Sequence, residues 1–399
     1  MSRSARVLPF LITGTLLAAC SSTGSSGVAA TSSPSSSASS PSDSPSTSPT
    51  TTTSASTTSL KGVCPDTVVI QTDWYATPER AAAYQLVGPN GTIDAKKGTY
   101  SGPLGDTGVN VEVRLGGPFI GFTPIPQQMY TDTSITLGYV ATDDAVGGAA
   151  KFPTTAVVAP LDVNPQVILW DPATYPTVKT WADVAKTKAK VSYIEGLPFM
   201  DYLVSKGYVT KDQLDASFDG TPATFVAQGG KLMQQGYASN EPYRWSHDVP
   251  DWNKPVNYLL VHDAGYEIYP QGLAVRSAEL PTLSPCLKAL VPMIQQAQVD
   301  YMTTPKPTND ALVAIAAKIK DGPPISADAN AAAVTSMKDL KLVGNGSNST
   351  LGDFDMARVT RTIDVLKPIF AAKKQAVPAD LKAESIVTNE FIDPSITLP

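Results

Sequence analysis

Residues 21 to about 60 are almost wholly Ser, Thr, Pro, Ala and Gly, with Asp43 the only charge. Such a stretch has too little apolar surface to offset the entropy of ordering it. Whatever folds in this 399-residue chain is therefore built from Lys61 onward. That leaves about 340 residues, more than one core usually serves, and predicts two domains. The Ser/Thr/Pro-rich stretch is a tether. As a flexible coil it places its cargo on the order of 35 Å from its root.

The tether is preceded by Arg3 and Arg6, an apolar run from Val7 to Leu17, and then Ala18-Ala19-Cys20. Positive start, short apolar run and small residues make an export signal over residues 1–19. Cys20 after Ala-Ala resembles the lipobox of bacterial lipoproteins, which implies cleavage before Cys20 and lipid on its thiol. The chain is then expected on the extracytoplasmic face of the cell membrane, held by that lipid. The duller readings are an ordinary signal peptide with a chance cysteine, or a short anchor. The apolar run falls below the roughly 20 residues of a comfortable span.

Without residues 1–19 the chain has 28 basic and 36 acidic residues, a net charge of −8. With no basic stripe, nucleic acid is not an expected partner. Cys64 and Cys286 remain, 222 residues apart. In an oxidising compartment such a pair is expected to close as a disulfide; the alternative is two buried thiols. Only His247 and His262 are present, without clustered ligands, so no metal site is expected.

From Lys61 onward, strand patterns alternate with helical ones. Strands are expected at Val68–Thr72, Val111–Leu115, Leu137–Ala141, Thr155–Ala159, Val191–Ile194, Leu259–His262 and Leu273–Val275. Ser284-Pro285 suits the start of a helix with Leu287, Leu290, Val291 and Ile294 on one face. Similar faces are Leu312-Ile315-Ala316-Ile319 and Met356-Val359-Ile363-Leu366. The alternation predicts an α/β fold with mainly parallel sheets.

In open α/β sheets, ligands gather at the carboxyl ends of strands. Three such ends are rich: Asp73-Trp74-Tyr75 with Pro78-Glu79-Arg80, then Gly116-Gly117-Pro118, and Gln235-Gly236-Tyr237 running to Glu241-Pro242-Tyr243. Tyr193 and Phe199 follow another strand. Acids beside aromatics suit an apolar, partly polar ligand held by stacking and a few hydrogen bonds. The ligand candidates are Asp73, Trp74, Tyr75, Gly117, Pro118, Tyr193, Phe199, Glu241 and Tyr243. Each has a plainer reading: Asp73 as a helix cap, the glycines as turn residues, Glu241 in an ion pair, and the aromatics as core. No Gly-x-Ser-x-Gly elbow or other activated nucleophile is visible.

The Thr72-Asp73-Trp74…Pro78 opening, Gly116-Gly117-Pro118 and the Glu241-Pro242 segment resemble the substrate-binding proteins of nitrate/sulfonate/taurine and thiamine-pyrimidine-precursor importers. The resemblance spans residues 68 to about 300. It implies a type II periplasmic-binding-protein fold, with two lobes, a hinge of crossing strands and an interlobe cleft. The lobes would be 61–160 with 281–399, and 161–280. Arg80 stands where the pyrimidine-precursor branch has His, the stretch 88–108 is unusually Gly-rich, and residues from about 322 extend beyond a minimal member. The function implied is a monomeric, non-enzymatic carrier without cofactor, handing a small molecule to an ABC permease. A pyrimidine-like heterocycle is favoured and a sulfonate or other small anion comes next, with Arg80 the first cation to consider. The competing readings are an enzyme acting on a pyrimidine-like compound and a surface lipoprotein that has lost its ligand. A pyrimidine synthase of this fold family uses a histidine and cysteines that are absent here.

Overall fold

The computed structural model describes residues 59–399 apart from 321, 323 and 324. The signal, Cys20 and nearly all of the tether lie outside the described residues.

The fold opens with β1 (Thr67–Gln71), whose last four residues are buried, as suits a strand covered on both faces. A 3-10 turn at Pro78–Arg80 leads into α1 (Ala81–Val87). Within the Gly-rich stretch 88–108 the chain folds as a hairpin, β2 (Thr92–Asp94) and β3 (Thr99–Pro103). The Tyr100 hydroxyl pins it, donating to the Gly88 carbonyl at 2.6 Å and accepting from the Gly91 N–H at 2.9 Å. There follow β4 (Asn110–Arg114), α2 (Ile125–Thr131), β5 (Leu137–Val140), α3 (Thr142–Gly148) and β6 (Thr154–Val158).

The chain then crosses into a second sheet through residues 159–165. That part comprises β7 (Gln166–Trp170), α4 (Trp181–Thr187), β8 (Val191–Ser192), α5 (Pro198–Ser205) and β9 (Leu214–Asp215). It continues with α6 (Ala223–Ala227), β10 (Met233–Tyr237), α7 (Glu241–His247) and β11 (Asn257–Leu260). Residues 261–271 cross back, and β12 (Gly272–Arg276) rejoins the first sheet ahead of residue 281.

The first sheet has the order β2-β3-β4-β1-β5-β12-β6 and the second β11-β7-β10-β8-β9. Both are mixed, where mainly parallel sheets were expected. β1 runs parallel to β4 and β5, but β12 is antiparallel to both β5 and β6. In the second sheet β10 is parallel to β8 and antiparallel to β7. At one edge of the first sheet the reason is the hairpin, since β3 is antiparallel to both β2 and β4; elsewhere it is the crossing. A strand that arrives from the other sheet takes its direction from that journey, whereas parallel neighbours within one sheet need a helical crossover.

The C-terminal part adds α8 (Leu280–Thr303), α9 (Lys306–Lys318), α10 (Ala327–Asp339) and α11 (Met356–Ala372). α8 begins at Leu280 rather than at Ser284-Pro285, because Pro281 already supplies a first-turn proline; Pro285 and Pro292 both lie inside the helix. Its buried face, Leu287, Leu290, Val291 and Ile294, packs in one cluster with Val68, Ile70, Val111, Val113 and Leu273 of the first sheet. Cys286 on this helix is disulfide-bonded to Cys64, which ties the start of the fold to its return.

One side chain of α11 holds both crossings. The 8 % exposed Arg358 donates to the Asp162 carboxylate and carbonyl at 2.8 and 2.6 Å, and to the carbonyls of Glu267 and Ile268 at 2.6 and 2.9 Å. Its guanidinium lies 3.9 Å from the centre of the Tyr269 ring. No helix among the described residues is long and apolar enough to cross a membrane.

Candidate functional site

The ends of several strands from both sheets converge on a cavity of about 720 Å³. From the first sheet come the segments after β1, β4 and β5. From the second come those after β8 and β10.

After β1, Arg80 reaches back to Asp73 with two contacts of 2.7 Å and also donates to the Thr77 hydroxyl at 3.0 Å. The Gln271 side chain, its oxygen toward Arg80 at 3.1 Å, donates to the Glu79 carbonyl at 2.7 Å. Burial opposes the charge on Arg80, but the Asp73 carboxylate outweighs it, leaving the guanidinium pKa above its ordinary value. Glu79 is 1 % exposed. It accepts from the Ser239 hydroxyl and the Asn240 amide, both just after β10. The turn after β1 is thus fastened to the second sheet through Glu79.

Trp74 lines the cavity. Its ring sits edge-on to Tyr75 at 5.6 Å and tilted to Phe122 at 5.9 Å. The glycine pair after β4 makes room for it. A Cβ at Gly116 would stand 2.0 Å from the Thr72 carbonyl oxygen, and one at Gly117, held at φ +58, would stand 2.8 Å from the Trp74 ring. Phe122 adds a second aromatic wall, 46 % exposed.

After β5, α3 brings Asp143 and Asp144 to the cavity. Asp143 accepts from the Tyr266 hydroxyl at 2.6 Å. Burial, with the nearby charges of Asp143 and Asp73, pushes the Asp144 carboxyl up to about 8. In the second sheet, Glu241 opens α7 and accepts from the Tyr237 N–H at 2.7 Å. Burial pushes it up to about 7, against the charge of Arg244. Arg244, one turn on, lines the same cavity.

Of the residues singled out from the sequence, the fold brings Asp73, Trp74, Gly117 and Glu241 to this cavity. Tyr75, 8 % exposed, lies behind Trp74 and packs edge-on against Phe119 at 6.0 Å. Pro118 is exposed in the turn after β4. Tyr193 is half-buried against the apolar core while its neighbours Ile194 and Glu195 line the cavity. Phe199, 1 % exposed, is a core residue because α5 turns its apolar face inward. Tyr243 sits off the cavity-facing side of α7, stacked on His247 with ring centres 4.2 Å apart; Glu241 and Arg244, three residues apart, share that side.

The residues that sequence reasoning missed had signals. Asp143 and Asp144 follow a strand end, the rule applied to other strands but not to β5. Arg244 lies at i+3 from Glu241. Asn164 and Phe122 had none, since their place depends on the crossing between sheets and on a turn. Among the described residues no group of His, Cys, Asp and Glu is arranged to hold a metal ion.

No family model and no curated protein matches the chain. Solved structures are similar to it. The periplasmic aliphatic sulphonate binding protein SsuA from Escherichia coli shares 14 % identity over 84 % of this chain and 95 % of its own, with a TM-score of 0.52. The alkanesulfonate-binding protein SsuA from Xanthomonas axonopodis pv. citri, bound to MOPS, shares 12 % over 81 % and 98 %, again at 0.52. The periplasmic nitrate-binding protein NrtA from Synechocystis PCC 6803 shares 12 % over 82 % and 87 %, at 0.50. With its two mixed sheets joined by a double crossing and a cavity between their ends, the chain has the periplasmic-binding-protein fold: α/β, two lobes and a cleft.

Proposed function

We propose that the protein is the extracytoplasmic solute-binding component of an ABC importer, anchored by lipid on Cys20, with residues 61–160 and 281–399 forming one lobe and 161–280 the other. The observation that carries this reading is the cavity of about 720 Å³ between the strand ends of the two sheets, walled by Trp74 and Phe122 and edged by Asp73, Glu241 and Arg244. A volume in this range suits a small organic ligand. Ligand touching both lobes favours the closed state by differential affinity, and the permease reads that state.

Trp74 stacks on the ligand, Gly117 gives the ring its space, and Glu241 bonds the ligand's polar edge. Asp73 acts chiefly by holding Arg80 in place. A pyrimidine-like heterocycle fits the aromatic wall. A sulfonate or other small anion is the second reading, favoured by Arg244, whereas Arg80 is already neutralised by Asp73. The structural neighbours named for sulphonate and nitrate binding are in line with that second reading.

Native mass spectrometry of protein purified from its own host is expected to find one small molecule per chain. Trp74→Ala should weaken its binding by about tenfold or more, from lost area and aromatic contact. Protein that carries nothing, or an affinity that Trp74→Ala leaves unchanged, would place the function elsewhere.

A further inference from the structure

The second-sheet wall of the cleft offers hydrogen-bond donors that the protein itself does not use. Asn164 is 1 % exposed and lines the cavity. Its Oδ1 accepts from the Gln166 N–H at 3.1 Å, which fixes the amide so that Nδ2 is the free end. That Nδ2 is buried with no partner among the described residues. Arg244 also lines the cavity, makes no ion pair or hydrogen bond with its side chain among the described residues, and has a buried, unpartnered Nε. Glu241, the acid on the same face of α7, takes the Tyr237 N–H on one carboxylate oxygen and, being an acceptor, offers the other to a ring N–H rather than to an oxyanion.

The two donors belong to adjoining segments. β7 pairs with β10 in the register Tyr237↔Gln166, and the Ala238 N–H reaches the Pro165 carbonyl at 2.8 Å. Asn164 therefore lies beside the stretch that runs into α7, where Arg244 sits. The other cations of the cavity are spent or exposed: Arg80 is held by Asp73, and Lys151 and Lys374 lie at the surface. The Trp74 ring reaches across from the first sheet to the segment between β9 and α6, where a Cβ at Gly220 would touch it at 3.4 Å, and it lines the same cavity as Asn164 and Arg244.

Buried donors without acceptors are costly, and a guanidinium paired with an oxyanion is among the stronger hydrogen-bonded contacts. We infer that the cleft takes a flat aromatic acid, its ring on Trp74 and its oxyanion on Asn164 and Arg244. This deepens the solute-carrier reading and rests on it. It makes Asn164 and Arg244 the specificity-determining pair, selecting ring-borne oxyanions over neutral rings and over anions without a ring.

Calorimetry with matched probes tests it. Wild-type protein, stripped of ligand, is titrated with pyrimidine-5-carboxylate against its neutral carboxamide, with benzenesulfonate against benzenesulfonamide, and with acetate. In at least one pair the acid is expected to bind tenfold or more tighter than the amide, a difference of about 1.4 kcal/mol, and acetate far more weakly. Arg244→Gln and Asn164→Ala should erase that preference while the amide still binds, and Arg244→Lys should restore part of it. Thermal melting of each variant shows that the fold is kept. Equal binding of acid and amide in both pairs, or a preference that survives both variants, overturns the inference. If no probe binds, native mass spectrometry separates the failures: a neutral molecule retained from the host leaves the carrier reading standing and the inference fallen, whereas an empty protein removes both.

Discussion

Asp73 and Arg80 meet at two 2.7 Å contacts, and that changes what each side chain does. The pair occupies a position where either residue alone looks like a ligand contact. Beneath it, Glu79 is fully buried, and one of its carboxylate oxygens lies 3.7 Å from Arg80 with no hydrogen-bond donor of its own. Arg80→Ala strips both acids of their cation. Removing one partner of a buried pair typically costs about 3–5 kcal/mol, and Asp73 keeps some contact with water, so the lower end is expected. Denaturant unfolding should show a loss of about 3 kcal/mol, and a loss below about 1 kcal/mol would mean that Glu79 is otherwise satisfied. Asp144 gives a pH signature. Its folded value of about 8 lies far above the ordinary 3.8, and Glu241, at about 7 against 4.5, moves the same way. Between those limits the folded protein keeps protons that the unfolded chain releases, so stability falls as pH rises. The melting temperature of ligand-free protein should drop from pH 5 to pH 8.5, and Asp144→Asn should flatten the slope. An equally steep slope in that variant would acquit Asp144.

At the scale of elements, the disulfide joins the segment before β1 to α8, and the two are 222 residues apart. It closes a loop that contains all twelve strands of the two sheets. Replacing Cys64 and Cys286 by Ser should cost about 2–4 kcal/mol, since the unfolded chain regains the freedom the bridge removes; unchanged unfolding would assign the bridge no stabilising part. The strands themselves were legible because their signals are local: Val68-Val69-Ile70 is a β-branched run, Val111 and Val113 alternate with Glu112 and Arg114, and Leu273-Ala274-Val275 is apolar throughout. The β2–β3 hairpin was hidden, since its strands are short and polar, and a Gly-rich stretch advertises its turns rather than its ladder. The start of α8 was displaced because two prolines four residues apart, Pro281 and Pro285, each satisfy the rule for a helix start, and only packing chooses between them.

For the whole molecule, the sequence disclosed an α/β fold in two parts and the strand ends that meet at the cleft, because alternation and acid–aromatic clusters survive in one dimension. It did not disclose mixed sheets, nor Asn164, whose role depends on where one crossing segment comes to rest. Those crossings are joined at Arg358, which bonds to Asp162 on one and to Glu267 and Ile268 on the other. The consequence is kinematic. Two independent connectors would let one sheet slide and twist against the other, each connector bending at its own point. Pinned to a single guanidinium, they share a pivot. Such a pin resists sliding of one sheet past the other at that point, and any turn about it would change the spacing least at Arg358 and most at the far side of the cleft.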